Sequence, residues 1–166
     1  MKREKPEKPD KPKPSAYNKA LGLLARREHS RRELGMKLGR GGFNRDEAAD
    51  AVARLGEEGY QDDARFGEML VRSRIAQAYG PLRIRMELKS KGIGEQEIRR
   101  LLEEAEADWS AIAAALLERR YGRPSADPGE RVRRAQFLLR RGFSAATVRP
   151  LTHADVDDAA DECVVP

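Results

Sequence analysis

A segment that recurs three times at intervals of 50 residues is the feature that most limits how this chain can fold. Each copy pairs a glycine with a large apolar residue, as in Gly42-Phe43, Gly92-Ile93 and Gly142-Phe143. Apolar positions around the glycines keep the same offset: Leu38, Leu88 and Leu138; Ala48, Ile98 and Val148; Ala51, Leu101 and Leu151. A fixed period of this length is typical of tandem structural repeats, whose units pack together to bury an apolar face.

The repeated glycines Gly42, Gly92 and Gly142 are interpreted as structural turns, because a left-handed glycine commonly ends a helix. The residue two positions later fits the N-cap of the next helix: Asn44, Gly94 and Ser144. Two capping boxes are also predicted, Asn44 with Glu47 and Ser30 with Glu33. Each copy therefore places a helix end and a helix start on either side of its glycine.

A further helix is predicted at the start of each copy, over Tyr17–Glu28, Ala64–Tyr79 and Trp109–Tyr121, because apolar residues recur there at helical spacing. Gly80-Pro81 and Asp127-Pro128 fit helix starts, since proline at the first helical position loses no hydrogen bond. Helices this short are marginal alone in water, so packing must stabilise them. The sequence predicts an all-α fold of three tandem three-helix repeats, helix-turn-helix-like units in an elongated, curved array.

The repeats are expected to lie between two charged ends, at residues 16–62, 63–107 and 108–152. Residues 1–15 alternate lysine with proline and carry six Lys/Arg against three Asp/Glu, which is typical of a disordered tail. Residues 153–166 carry five acids and no Lys/Arg, which predicts an acidic tail. The segment between them holds 27 basic against 20 acidic residues. A basic body of this kind favours a polyanionic or acidic partner.

Nothing in the sequence predicts a catalytic residue, a metal site or a cofactor. His29 and His153 have no second histidine or cysteine at metal-ligand spacing, and Cys163 is the single cysteine. His29 is expected to contact the end of the first helix, and His153 to be exposed. No apolar run approaches the roughly 20 residues of a membrane span, and these features together fit a cytoplasmic protein.

Two motifs have both a chemical and a structural interpretation. Asp62 and Asp63 could act as metal-binding or acid–base carboxylates, but acids just before a helix are ordinary N-caps that also complement the helix dipole. The segment from Gly39 to Gly42 resembles a phosphate-binding loop, and Gly41 and Gly42 could form an anion-binding nest. Helix termination is the better interpretation, because Gly92 and Gly142 are predicted to end the equivalent helices without additional glycines.

The combination of motifs from Leu55 to Ile93 resembles the RecX family of bacterial recombination regulators. LGEEGYQDDARF contains the family's Gly-Tyr-x-Asp-Asp segment, in which Tyr60, Asp62 and Asp63 precede a helix. YGPLRIRMELKSKGI then supplies a Gly-x-x-Arg-Ile element and a Leu-x-x-Lys-Gly-Ile turn. A weaker match covers HSRREL near the start, and the resemblance spans roughly residues 17–150. Two residues depart from the pattern: Gln61 replaces an apolar residue, and Arg134 stands where Leu34 and Ile84 stand in the other copies.

The resemblance implies a protein that binds the RecA recombinase, in particular its nucleoprotein filament with single-stranded and also double-stranded DNA. Such proteins inhibit the recombinase's ATPase, strand-exchange and co-protease activities and need no cofactor. The alternative is a DNA-binding or architectural helical protein that acts on DNA directly. An enzyme has almost no support, and a monomer without a membrane partner is expected.

Charge density, and no family motif, selects the residues expected to bind the filament: Arg26, Arg27, Arg31, Arg72, Arg74, Arg83, Arg85 and Lys89. Since they cannot all share one helix face, some are expected to pair internally with acids such as Glu58 or Glu87. Interleaved aromatic residues, on which single-strand binders stack bases, are nearly absent from the sequence. The departure at Arg134 predicts that the second helix of the third repeat is rotated or shifted.

Overall fold

Residues 14–155 are described by a computed structural model, so most of both charged tails lies outside the described residues. Within that range the chain is helical and contains no strand, which confirms the all-α fold. The first repeat holds α1 (Ala16–Leu24), α2 (Arg31–Arg40) and α3 (Arg45–Glu57). The second holds α4 (Asp63–Ala76), α5 (Pro81–Ser90) and α6 (Glu95–Glu104). The third holds α7 (Trp109–Tyr121), α8 (Pro128–Arg140) and α9 (Ala145–Thr152).

Each set of three helices encloses its own apolar core. The repeated leucines Leu38, Leu88 and Leu138 are completely buried, one in each core. Trp109 packs against both the second and the third core and so links the two. The sequence positions predicted to separate the repeats stay a prediction.

The three repeated glycines adopt the left-handed backbone that the sequence predicts. Their φ angles are +88° at Gly42, +87° at Gly92 and +87° at Gly142. After each one, Asn44, Gly94 or Ser144 is the N-cap of the next helix. A residue with a Cβ is strained at such a φ. The turn between the second and third helices is therefore the same in all three repeats.

The predicted capping boxes have different outcomes. Asn44 and Glu47 form the complete box, in which each side chain accepts a hydrogen bond from the other residue's backbone N–H. Ser30 accepts from the backbone N–H of Glu33 at 3.1 Å. The carboxylate of Glu33, however, contacts Arg27 instead of returning to Ser30, so the prediction of a second box is wrong in that half.

The predicted bounds of the first helix are too long in the first and second repeats and correct in the third. α1 ends at Leu24 and not at Glu28, because the chain turns away to bury His29 and reach the start of α2. α4 ends at Ala76 and not at Tyr79, and the following Ala78 has a φ of +55° that interrupts the helix. α7 has the predicted bounds.

Backbone contacts join the second repeat to the third. The N–H of Gly80 donates to the carbonyl of Arg141 at 2.8 Å, and the N–H of Leu82 donates to the carbonyl of Gly142 at 3.0 Å. A Cβ at Gly80 would lie 2.2 Å from the Gly142 carbonyl oxygen, and a Cβ at Gly142 would lie 2.4 Å from the Cβ of Arg83. This junction therefore requires glycine at both positions.

Side-chain hydrogen bonds join the first repeat to the second. The carboxylate of Asp63 accepts from the backbone N–H of Arg31, the first residue of α2, at 2.9 Å and from Nε2 of Gln61 at 2.8 Å. Gln61, almost fully buried, also donates to the His29 carbonyl at 3.3 Å and accepts from Nε of Arg31 at 3.0 Å. Gln61, which stands where the family usually has an apolar residue, therefore forms a polar contact between the two repeats.

Arg134 keeps its helix in register, so the predicted rotation of the second helix is wrong. Leu138 remains completely buried, and α8 begins three residues earlier than α5 does relative to the repeat. That extra length supplies Glu130, whose carboxylate accepts from Arg134 at 2.5 Å. The guanidinium also donates to the Arg123 carbonyl at 2.9 Å and lies 4.9 Å from the Tyr121 ring centroid. A buried charge is tolerated there because it is paired and hydrogen-bonded.

Candidate binding surface

Two of the residues predicted to bind the filament, Arg74 and Arg85, form ion pairs with carboxylates of the protein itself. Both Nε and Nη2 of Arg74 donate to the Glu87 carboxylate, at 2.7 and 2.6 Å, and this pairing lowers the pKa of Glu87. Arg85 forms an ion pair with Glu95. Because a carboxylate already holds these guanidiniums, they present less charge to a partner than the sequence indicates.

Two more of the predicted residues hold the repeats together. Arg31 donates from Nε and from its backbone N–H into the junction of the first and second repeats. Arg83 packs against Gly142 at the junction of the second and third, with its guanidinium carbon 5.5 Å from the Tyr79 ring centroid. Both guanidiniums therefore have a structural role whether or not a partner is present.

Arg26, Arg72 and Lys89 are the predicted residues that keep their charge available. All three are exposed, and none forms an ion pair with another residue in the range 14–155. Arg72 lies in a shallow groove beside Glu68 and Glu104 without pairing with either. Among the predicted residues, these are the cations that an anionic partner could contact without displacing a carboxylate of the described chain.

The family-motif residues are part of the scaffold. Asp62 is the N-cap of α4, since its carboxylate accepts from the backbone N–H of Ala64 at 2.7 Å and of Arg65 at 3.3 Å. Asp63 stabilises the start of α2 in the preceding repeat. Tyr60 is 52% exposed, and its carbonyl accepts from Arg65. The expected helix cap is confirmed for Asp62, whereas Asp63 caps a different helix.

A cluster of titratable groups forms around the buried pair His29 and Glu33, although the sequence predicted only that His29 lies near a helix end. His29 is almost fully buried, with Nδ1 3.1 Å from Oε1 of Glu33. The same oxygen accepts from Nη2 of Arg27 at 2.6 Å, and Lys37 lies 3.9 Å away. Burial and the charge of Arg27 lower the pKa of His29. Burial alone would raise the pKa of Glu33, but the Arg27 hydrogen bond and the neighbouring cations lower it overall.

Replacing Glu33 with glutamine is expected to lower the free energy of unfolding by about 1–2 kcal/mol, because Arg27 and Lys37 lose their shared anion.

The lowered pKa values of His29 and Glu33 predict that acid destabilises the unmodified protein. Stability should be full above the unfolded-state pKa of His29, about 6.5, and fall as the pH drops below it, with Glu33 adding to the loss below about 4.5. Urea unfolding at a series of pH values measures both. A flat profile between pH 7 and pH 5 would contradict the role given to His29.

Positive charge is concentrated in the third repeat, which sequence reasoning treated as one cluster among several. Residues 16–62 and 63–107 each hold nine Lys/Arg against eight Asp/Glu, whereas residues 108–152 hold nine against four. Within the described residues, Arg119, Arg123 and Arg140 are exposed and make no side-chain hydrogen bond or ion pair. The middle repeat is therefore not the most basic part of the fold.

A row of alternating guanidiniums and aromatic rings crosses the junction of the second and third repeats. The guanidinium carbon of Arg141 lies 4.3 Å from the centroid of Tyr79 and 6.0 Å from that of Phe137. That of Arg120 lies 4.5 Å from the centroid of Phe137 and 5.5 Å from that of Tyr121. The rings of Tyr121 and Phe137 meet edge to face at 5.8 Å. We call this set, together with Arg83 on Tyr79, the arginine–aromatic row.

Sequence reasoning missed this row because its members come from three separate helical regions. The chain has four Phe, four Tyr and one Trp. Such a low aromatic content gave no indication that Tyr79, Tyr121 and Phe137 lie together at one junction. The helical spacing of Phe137 and Arg141 was the available signal, since residues four apart share a helix face.

Neither a metal site nor a membrane span is found in residues 14–155. Groups of three or more His, Cys, Asp or Glu side chains in a metal-binding arrangement do not occur there. None of the described helices combines the length and the apolar character needed to cross a membrane.

The fold defines a class of protein built from tandem three-helix units, and several of its exposed arginines have no ion pair among residues 14–155. Comparison with known proteins gives the same architecture. The first, second and third three-helix domains of RecX match residues 16–55, 62–102 and 106–150. The chain belongs to the RecX family.

Relatives and solved structures agree with that assignment. Regulatory protein RecX of Halorhodospira halophila is 49% identical over 141 residues, which cover 84% of this chain and 88% of the relative. The protein of the same name from Stenotrophomonas maltophilia is 45% identical, covering 84% and 86%. The crystal structure of RecX from Lactobacillus salivarius has the same fold, with a TM-score of 0.69 at 24% identity over 83% of this chain and 92% of that one.

Proposed function

We propose that this protein regulates homologous recombination and the SOS response by binding the RecA recombinase and its nucleoprotein filament. Binding would inhibit the recombinase's ATPase, strand-exchange and co-protease activities. The observation that supports this function is the match of all three repeats to the RecX domains. In this proposal the protein acts as a cytoplasmic monomer, without catalysis of its own and without a cofactor.

Electrostatic contact is the physical basis that we propose for filament binding. A recombinase filament on DNA is long and carries a dense line of phosphates, which attracts a basic surface and makes binding depend on salt. Of the residues predicted to bind, Arg26, Arg72 and Lys89 are exposed without an ion pair in the described part of the chain. These three are available to the filament without loss of an existing ion pair, whereas Arg74 and Arg85 are already paired.

The proposal is tested by adding the protein to RecA that is hydrolysing ATP on single-stranded DNA. Hydrolysis is expected to fall at amounts of protein below one per recombinase subunit, because one bound protein would cover several subunits. An unchanged rate across a range of salt concentrations would contradict the proposed function.

The contact residues are tested by replacing Arg72 with glutamate. We expect the concentration that halves ATP hydrolysis to rise about fivefold, since a like charge at a complementary interface weakens association. Arg99 is the matched control, because it is also exposed in the second repeat and has no ion pair among the described residues. Equal effects of Arg72→Glu and Arg99→Glu would mean that only net charge matters and that Arg72 is not in the contact. Circular dichroism of both variants checks that the helices are intact.

A further inference from the structure

The arginines of the arginine–aromatic row contact rings and form no ion pair in the part of the chain that the structure describes. Other arginines of the described chain pair with carboxylates, as Arg54 does with Glu58 and Arg100 with Glu97. Within residues 14–155, no carboxylate forms an ion pair with Arg83, Arg120 or Arg141. The row and the unpaired Arg119, Arg123 and Arg140 of the same repeat therefore form a surface whose cations lack ion pairs among residues 14–155.

Aromatic stacking orients these guanidiniums while leaving most of their donors available. Arg120 is exposed, lies over two rings and makes no side-chain hydrogen bond within the described residues, so its N–H groups are free for a ligand. Arg141 is half-buried: its Nε is buried and its Nη2 donates to the Gln77 carbonyl at 2.9 Å, so only its other Nη hydrogens remain for a ligand. A guanidinium held flat against a ring loses little further freedom when it binds phosphate in a bidentate manner.

Neighbouring positions of α8 extend the row. Helical spacing places Arg133 and Arg140 on the face of α8 that carries Phe137 and Arg141. Arg140 has no ion pair among the described residues. Arg133 lies 3.8 Å from Asp127, but both side chains are more than 60% exposed, and such a pair contributes little. The face is therefore cationic on both sides of a central, partly exposed ring.

We propose that the arginine–aromatic row binds single-stranded nucleic acid directly, with its guanidiniums on the phosphates and its ring surfaces against the bases. This chemistry is favoured over an acidic protein because rings alternate with cations, which is the combination that single-strand-binding surfaces use. The low aromatic content of the whole chain does not argue against the site, since the site needs only Tyr79, Tyr121 and Phe137. The inference does not depend on recombinase binding.

The test measures binding of the full chain to a fluorescent oligodeoxythymidylate without recombinase. The variant Arg120→Gln, Arg133→Gln, Arg140→Gln removes three cations from the row and its flanks. Its matched control is Arg40→Gln, Arg45→Gln, Arg99→Gln, which removes the same charge from exposed positions outside it. The row variant is expected to bind roughly tenfold more weakly, and the slope of log affinity against log salt should fall by about 2, at about 0.7 per lost phosphate contact. The control should keep the slope.

A second variant separates stacking from charge. Phe137→Leu keeps an apolar side chain against Tyr121 but removes the ring, so binding should weaken about tenfold with the salt slope unchanged. Thermal melting followed by circular dichroism checks that each variant is folded.

Three results would overturn the inference. Equal losses in the row and control variants would mean diffuse attraction by net charge. Unchanged oligonucleotide binding by the row variant, with weaker inhibition of the recombinase, would assign the surface to an acidic protein partner instead. Equal affinity of the unmodified chain for a duplex of the same length, with Phe137→Leu unaffected, would exclude base stacking.

Discussion

Replacing Gly80 with alanine is expected to lower the free energy of unfolding by about 3 kcal/mol. The added Cβ would lie 2.2 Å from the carbonyl oxygen and 2.3 Å from the carbonyl carbon of Gly142, and backbone atoms cannot rotate away as a side chain can. The two backbone hydrogen bonds across the junction would be lost or lengthened, at about 1 kcal/mol each, in addition to the overpacking. The melting temperature should therefore fall by roughly 10 °C.

Gly94 is the matched control for this substitution. It too is a glycine N-cap without a side-chain cap bond, with a φ of −72° against −81° at Gly80, but a Cβ there would meet nothing within 4 Å. Gly94→Ala should change stability by no more than about 1 kcal/mol, the ordinary effect at a cap. Similar melting temperatures for the two variants would contradict the tight junction between the second and third repeats.

Replacing Phe143 with alanine should lower the free energy of unfolding by about 3–5 kcal/mol, the usual range for a fully buried phenylalanine. The side chain is completely buried in the third core. Its counterpart in the first repeat, Phe43, lies 100 residues earlier and is only partly buried against the first core. Phe43→Ala should therefore have a much smaller effect.

Urea unfolding of the two alanine variants measures that difference directly. If both lost the same stability, the first and third repeats would bury this position equally, and the turn of the first repeat would be packed where the structure leaves it partly open.

The repeat fold was predictable because its strongest signals are local. A glycine in the left-handed region, an N-cap two residues later and an apolar residue at helical spacing each act within one helical turn, and three copies reinforce one another. The ends of α1 and α4 were predicted less well. There the decisive factors were the burial of His29 and the positive φ of Ala78, which no local signal marks.

The binding surface was predicted less completely, because charge in a sequence does not reveal its partner in space. Arg74 and Glu87 are 13 residues apart and Arg85 and Glu95 are 10 apart, and both pairs form only when two helices pack. The arginine–aromatic row needs Tyr79 and Phe137, which come together only through the junction of two repeats. Charge density therefore favoured the middle repeat, whereas the excess of positive charge lies in the third.

Two polar residues that depart from the family pattern have polar partners in the folded structure. Gln61 replaces an apolar residue but satisfies its amide within the polar junction around Asp63. Arg134 replaces an apolar residue but finds Glu130 in an added helical turn. In both cases the polar residue and its hydrogen-bonding partner lie in different helical regions or turns. The partner therefore could not be predicted from the sequence position of the polar residue alone.

Co-sedimentation with RecA filaments on single-stranded DNA, beside the same DNA without recombinase, tests the proposed function most directly. At low salt the protein should pellet with both, because exposed cations meet phosphates in each. At higher salt it should stay with the filaments and leave the naked DNA, since contacts with the recombinase itself are screened less when they are buried. Recovery of the protein in the supernatant with filaments at both salt concentrations would contradict the account.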